Sequence, residues 1–354
     1  MKGGAVALAL AAMAAPAWAL SGPEIYAQAC APCHGADGRG APAGSGITVP
    51  LPDFTDCAVS TAETTANWAG LVRRGGRFLG MSDEMPAFGD ALTEEEIRAV
   101  LAYLRSFCAE PRYPIGDLNY RRPVFVEKAF PEDEAVLGGE IESARRERGY
   151  TAEMELEKRI GPRGQIAVSL PAGVVDGHGA PLRAGVGDLA LSWRHVLLAA
   201  PHEASLVSAG VELRLATGNR RHGLGAGTTV VAPELLSGHA LGPLVAQTQV
   251  RAELPADPAR ADRRMLYRLA LQLPLGPYKK CPVPALEFEQ SHALAAPVHG
   301  ATLLAPTLYL PLSRRGHVAL GAGVEIPVAG TRPFDWRLGT FLLWEYRDGP
   351  LWAW

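Results

Sequence analysis

Gly22-Pro-Glu-Ile-Tyr26-Ala-Gln-Ala-Cys30-Ala-Pro-Cys33-His34-Gly35 is the stretch on which the reading of this chain turns. Two thiols three positions apart can each add to a vinyl group of haem. The histidine that follows is then forced under the iron, where a neutral imidazole nitrogen ligates it. A Cys-x-x-Cys pair also serves as a zinc half-site or a redox dithiol. Zinc needs a second pair of ligands nearby, and of the nine histidines only His34 lies before residue 115. The stretch therefore predicts one covalent haem c, attached through Cys30 and Cys33 and ligated by His34.

The same scarcity of histidine bears on the second axial ligand. Once Met13 is set aside with the leader, Met81 and Met85 are the soft candidates in this region. Met85 precedes Pro86-Ala87-Phe88, and the proline holds the chain extended, which suits a thioether presented from a loop. Met85 is the predicted ligand and Met81, four residues earlier, the reserve. His/Met ligation raises the reduction potential and leaves no open position for a substrate, so the site would relay electrons and not activate oxygen.

Working outward, Met1 and Lys2, an apolar run from Ala5 and the small residues of Ala17-Trp18-Ala19 read as an export signal cut after Ala19. In an oxidising compartment Cys57 and Cys108 could bridge, clamping the last helix of the domain; the alternative is two free buried thiols. Cys281, between Lys280 and Pro282, is left without a partner. A formal charge of -3 and the absence of a Lys/Arg-rich run give no sign of nucleic-acid binding. Thr93 with Glu96 forms a capping box ahead of a helix whose apolar face is Ile97, Val100, Leu101 and Leu104. Gly22 and Tyr26, with Tyr103, suit a close helix crossing.

The order of N-terminal helix, CAPCHG, the Gly-rich loop Asp37-Gly-Arg-Gly40, the Met-Pro-x-Phe segment and a final helix ending Ala-Tyr-Leu-Arg-Ser resembles the class I monohaem cytochromes c. That resemblance covers about the first third of the chain. It implies Cys30 and Cys33 as thioether donors, His34 as proximal ligand and Met85 as distal ligand. It also implies a proline carbonyl accepting the histidine ring N–H, for which Pro42 is the local candidate.

Beyond the Pro-rich stretch from Pro111 the pattern changes to a period of two. Val207, Ala209, Val211 and Leu213 alternate with Ser208, Glu212 and Arg214; Glu153, Glu155 and Glu157 alternate with Met154 and Leu156. About 12 such strands can be counted. Several end alike, at Pro171, Pro255, Pro274, Pro311 and Pro327, which suggests one common rim where pairing stops. A soluble sandwich also alternates. A transmembrane barrel fits the charged parity and the aromatics Trp193, Tyr309, Phe334, Trp336, Trp344 and Tyr346 as an interfacial girdle. Trp354 after the last strand resembles an outer-membrane assembly signal. This part resembles outer-membrane porin-like transporters, and the whole arrangement resembles cytochrome–porin fusions, some of which oxidise extracellular Fe(II).

The expected chain is multidomain. Residues 1–19 are a signal peptide, 20–114 an all-α cytochrome c domain, 115–136 a linker and 137–354 an all-β antiparallel transmembrane barrel of about 12 strands. The expected cofactor is haem c, and the protein is read as an electron carrier, with metal oxidation left open. Expected partners are outer-membrane lipid, a periplasmic redox protein (a soluble cytochrome or copper protein) and an extracellular donor such as Fe(II). One haem cannot reach both sides of an apolar band about 25 Å tall. The haem domain is therefore expected to cap or partly enter one barrel mouth. Glu153, Glu155, Glu157, Glu212, Arg214, Arg251, Glu253, Glu287 and Glu289 are expected to line the pore as a solvated wall. The other readings are a pore with a cytochrome plug, or a soluble periplasmic carrier with a β interaction domain.

Overall fold

The computed structural model describes residues 20–145, 147–177, 181–295 and 299–347. The leader 1–19 and Trp354 lie outside the described residues. The first part is helical: α1 Gly22–Ile25, running through a π turn at Tyr26–Cys30 into α2 Ala31–His34, then α3 Cys57–Ser60, α4 Thr65–Arg74 and α5 Glu94–Arg105. The capping box forms as read, with Thr93 and Glu96 each satisfying the other's backbone N–H. α1 crosses α5 so tightly that a Cβ on Gly22 would collide with the Ala99 carbonyl. Tyr26 and Tyr103 meet edge-on at 5.4 Å. Cys57 and Cys108 are disulfide-bonded across 51 residues and tie the chain after α5 back to α3.

The second part is one closed antiparallel sheet. Its strands are β1 Glu134–Ala144, β2 Glu147–Ile160, β3 Gly164–Gly177, β4 Arg183–Val186, β5 Ala190–Ala200, β6 Ser205–Arg214, β7 Val230–Leu241, β8 Leu244–Pro255, β9 Arg264–Gln272, β10 Val283–Ala293, β11 Gly300–Pro311, β12 Val318–Gly330 and β13 Trp336–Glu345. Apart from β4, each pairs with its neighbours around the ring, and β1 pairs with both β2 and β13, so the sheet closes. β4 and β5 both pair with β3, at Ala172–Val175 and Gly164–Ser169, and share one place in the ring. The thirteen stretches thus build a 12-strand barrel. No helix among the described residues is long and apolar enough to cross a membrane.

The period of two sorts the faces. On β2, Tyr150, Met154, Leu156 and Ile160 point outward, 41–51% exposed, while Glu157 and Arg159 are buried inside. Leu170, Leu191, Leu235 and Leu286 continue the apolar outer surface. Such a belt is costly in water and suited to hydrocarbon, and the closed ring pairs the strand backbones with one another.

Three expectations need correction. The proline rim is not common: Pro255 ends β8 at one end of the barrel and Pro311 ends β11 at the other. Pro171 lies within β3, and Pro327 sits in β12 beside the register shift at Thr302/Leu303. Bulged positions tolerate a residue that cannot donate. Tyr309 and Phe334 are 5% and 4% exposed, packed on Phe341 and on Ala301 and Leu303, and do not join a girdle.

The third correction concerns the lumen. Where residues 119–133 run through it, at Glu155, Glu157 and Glu287, its charged wall is not a solvated pore lining, while Glu212, Arg214, Arg251 and Glu253 pair with one another along the wall. Arg122 is buried between Glu155 at 2.6 Å and Glu157 at 2.7 Å. Glu287 accepts the backbone N–H groups of Val124, Phe125 and Val126 at 2.8, 2.8 and 3.1 Å, and the Thr307 hydroxyl at 2.9 Å. Gln247 and Gln272 donate to the Arg121 carbonyl, and Ser208 to that of Ala129. Lys128 pairs with Glu132 and Glu134. Two wall glycines make room: a Cβ on Gly339 would lie 2.6 Å from the Phe125 ring, and one on Gly238 2.7 Å from Tyr120. At one end Phe130 and Leu118 pack into a cluster with Val196, Leu206 and Leu236. The first strand accordingly starts at Glu134, opposite Glu345.

Two outcomes follow. Glu287→Ala leaves three amides of the lumen segment without their acceptor, which should cost on the order of 3 kcal/mol. It should also raise ion conductance in planar bilayers above that of the wild type; equal conductance would mean that the segment does not close the lumen. Cys57→Ser with Cys108→Ser releases a long loop and should lower helical-domain stability by about 2–4 kcal/mol in denaturant unfolding.

Candidate functional site

The helical part surrounds a cavity of about 680 Å³. Cys30, at the end of the π turn, and Cys33 and His34, on α2, form one wall. The chain leaves that wall sharply: Gly35 is at φ +76°, where a Cβ would meet the Gly40 carbonyl at 2.8 Å. The Tyr26 hydroxyl holds the turn by donating to the Gly35 carbonyl at 2.8 Å. The remaining lining is mostly apolar and includes Val49, Leu51, Phe54, Trp68 and Leu101. Phe54 lies 5.2 Å from the His34 ring, and Trp68 edges Phe54 at 6.0 Å under the Arg105 guanidinium.

Both methionines reach this cavity. The segment after α4 folds back on itself, with Gly76 N–H donating to the Met85 carbonyl at 3.0 Å and Met81 N–H donating to the Gly76 carbonyl at 2.9 Å. Gly75 is required at the crossing, because at φ +75° its Cβ would lie 2.9 Å from the Met85 carbonyl oxygen.

These residues fit a haem. Cys30 and Cys33 are free thiols and not bridged to each other. Burial, and then the neighbouring Cys33, push the Cys30 thiol up to about 11. Burial lowers the His34 pKa, which favours the neutral imidazole that a metal takes. His34 Nδ1 is buried and has no hydrogen-bond partner among the described residues, so the ring is not committed to another side chain or carbonyl through that nitrogen. Haem c would be held by Cys30, Cys33 and His34, with Met85 or Met81 as a further ligand, and would supply reversible one-electron chemistry. The carbonyl expected at Pro42 is not the partner of His34; it accepts the Ser45 N–H at 3.1 Å. The loop after the motif makes its own turn there.

The barrel also reaches the cavity. Arg315, on the loop between β11 and β12, and Arg347, after β13, belong to the lining. Around them the two parts touch. Lys279 Nζ pairs with Glu345 at 2.9 Å and Glu63 at 3.2 Å, its backbone N–H donates to Asn67, and Tyr278 packs on Phe78 at 4.9 Å. Arg347 pairs with Asp56 at 2.9 Å. Sequence reading missed Phe54, Trp68 and the two arginines. The aromatics sit in loop and helix without a motif, and no local signal links residue 315 or 347 to a pocket formed by residues 30–104.

Residues 17–104 match the family model described as cytochrome C oxidase, cbb3-type, subunit III. No curated protein sequence matches the chain. Among solved structures, an outer membrane channel from Pseudomonas putida F1 aligns with a TM-score of 0.51 at 16% identity, covering 61% of this chain and 97% of that one. NanC porin (TM-score 0.42, 9% identity, 59% of this chain and 97% of that one) and KdgM porin (0.41, 7%, 60% and 98%) are also similar. The chain is a cytochrome-type domain fused to a porin-like 12-strand barrel.

The axial ligand can be tested directly. Met85→Ala should abolish the Met-to-iron charge-transfer band at the red edge of the visible spectrum, while Met81→Ala should leave it. The reverse pattern would make Met81 the ligand.

Proposed function

We propose that this protein transfers electrons at the outer membrane through a single haem c bound covalently by Cys30 and Cys33, with His34 and Met85 as axial ligands. The observation that carries this reading is the convergence of two free thiols, an orphaned buried imidazole and two methionines on one apolar cavity, in a domain joined to a closed barrel. The apolar outer face of the barrel supports residence in lipid, and the export signal supports the outer membrane. Both ends of the described barrel chain, Glu134 and Glu345, lie at the end that the helical domain touches. We take that end as the periplasmic mouth, with a soluble periplasmic redox protein as the exchange partner.

The filled lumen favours transfer at this mouth over transfer across the membrane. An apolar band about 25 Å tall is too long for one haem to bridge, and residues 119–133 occupy the path by which a donor such as Fe(II) would approach. A second reading has one observation behind it: the same segment suits a pore whose cytochrome is coupled to its plug.

In oriented proteoliposomes, a membrane-impermeant reductant should reduce the haem only from the side of the helical domain. Equal reduction from the far side would replace the reading with a transmembrane conduit. A haem-stained band that washes off outer-membrane preparations would remove the membrane from the account.

A further inference from the structure

Three cations gather on one side of the seam between the helical domain and the barrel. Arg74 ends α4; Lys280 and Arg314 lie on the loops after β9 and β11. Lys280 Nζ sits 3.6 Å from the centre of the Phe78 ring, and the Arg74 guanidinium is 4.6 Å from that ring and 5.4 Å from Tyr278. Arg74 also donates to the Tyr278 hydroxyl at 3.3 Å. Arg74 and Arg314 are exposed and Lys280 is half-buried.

The rings hold Arg74 and Lys280 without neutralising them. Neighbouring cations are matched: Arg73 with Glu94, Arg77 with Asp83, Lys279 with Glu345, Arg347 with Asp56. No carboxylate among the described residues pairs with Arg74, Lys280 or Arg314. The groups facing Lys280 are Arg74, Cys281 and Arg314; burial and then Arg74 and Arg314 lower its pKa. Like charges set together with no acid between them repel, and their field reaches outward to anions in solution.

The patch also borders the redox cavity. Leu71 and Val72, just before Arg74 on α4, and Arg315, next to Arg314, all line it. We propose that Arg74, Lys280 and Arg314 form the docking surface for an acidic soluble electron-carrier protein, which they seat beside the haem cavity. The proposal rests on the haem reading above. It adds the surface and the charge of the partner. A protein is favoured over anionic lipid headgroups because one of the three cations belongs to the helical domain and the patch abuts the redox cavity.

The full-length protein in nanodiscs tests this by stopped flow. Reduced haem is oxidised by ferricyanide or by tris(phenanthroline)cobalt(III), each taking one electron from the haem iron. The wild type should react faster with the anionic reagent, with a rate that falls as salt rises. Arg74→Gln with Lys280→Gln and Arg314→Gln should slow the ferricyanide reaction by about tenfold at low salt and leave the cationic reagent unaffected. Arg74→Lys with Arg314→Lys should keep the wild-type behaviour, which separates charge from packing. Polyglutamate should compete with ferricyanide. The proposal is overturned if the reagents do not discriminate, if the triple variant keeps the preference, or if anionic lipid alone abolishes it, which would make the patch a headgroup contact. A chain without a haem spectrum, or a haem inert to both reagents, would instead overturn the haem reading itself.

Discussion

A peptide segment inside a barrel has to satisfy its backbone polar groups against the wall, because little water remains to do so. In this protein Glu287 meets that requirement. One carboxylate on β10 accepts three consecutive amides of the lumen segment. A buried carboxylate held by several donors is stabilised where an unpaired one would be very costly. Arg122 solves the converse problem, bringing a cation to Glu155 and Glu157 where those acids would otherwise repel. The wall and the segment depend on each other at these positions, while other inward charges, such as Arg214 with Glu253 and Arg268 with Glu289, are matched within the wall itself.

This constraint also sets where the helical domain can be. Leu118 and Phe130 are anchored in the same cluster, so the chain between Cys108 and the barrel has little slack. The domain meets the barrel loops through Asn67, Glu63 and Phe78, and the barrel in return lends Arg315 and Arg347 to the cavity. The helical cavity and the barrel are thereby joined by more than a tether. The Cys57–Cys108 bridge holds α5, whose Leu101 and Leu104 form part of the cavity wall.

What the sequence disclosed and what it hid follow one physical division. Cys30, Cys33, His34 and the capping box at Thr93 are local, so spacing alone reveals them. The strands were legible because their period is local as well, and a ring of about 12 follows from counting them. The lumen segment has no period, and its partners lie tens to well over a hundred residues away: Arg122 needs Glu157, and Phe125 needs Glu287. Alternation shows which residues share a face but not what that face meets, so the inner acids read as solvated. Tyr309 and Phe334 misled for a related reason. Their position near strand ends is a sequence property, while their burial depends on packing with Phe341, Ala301 and Leu303. Pro42 stood at a plausible distance from the motif, yet its carbonyl closes its own loop.

The central claim is that residues 119–133 are the interior of the barrel and not a loose connection between two domains. Amide hydrogen exchange of Val124, Phe125 and Val126 in the detergent-solubilised protein tests it most directly. Their N–H groups should exchange as slowly as those of β10 and β11, and Glu287→Ala should release all three together. Exchange at the rate of an exposed loop in the wild type would contradict the account.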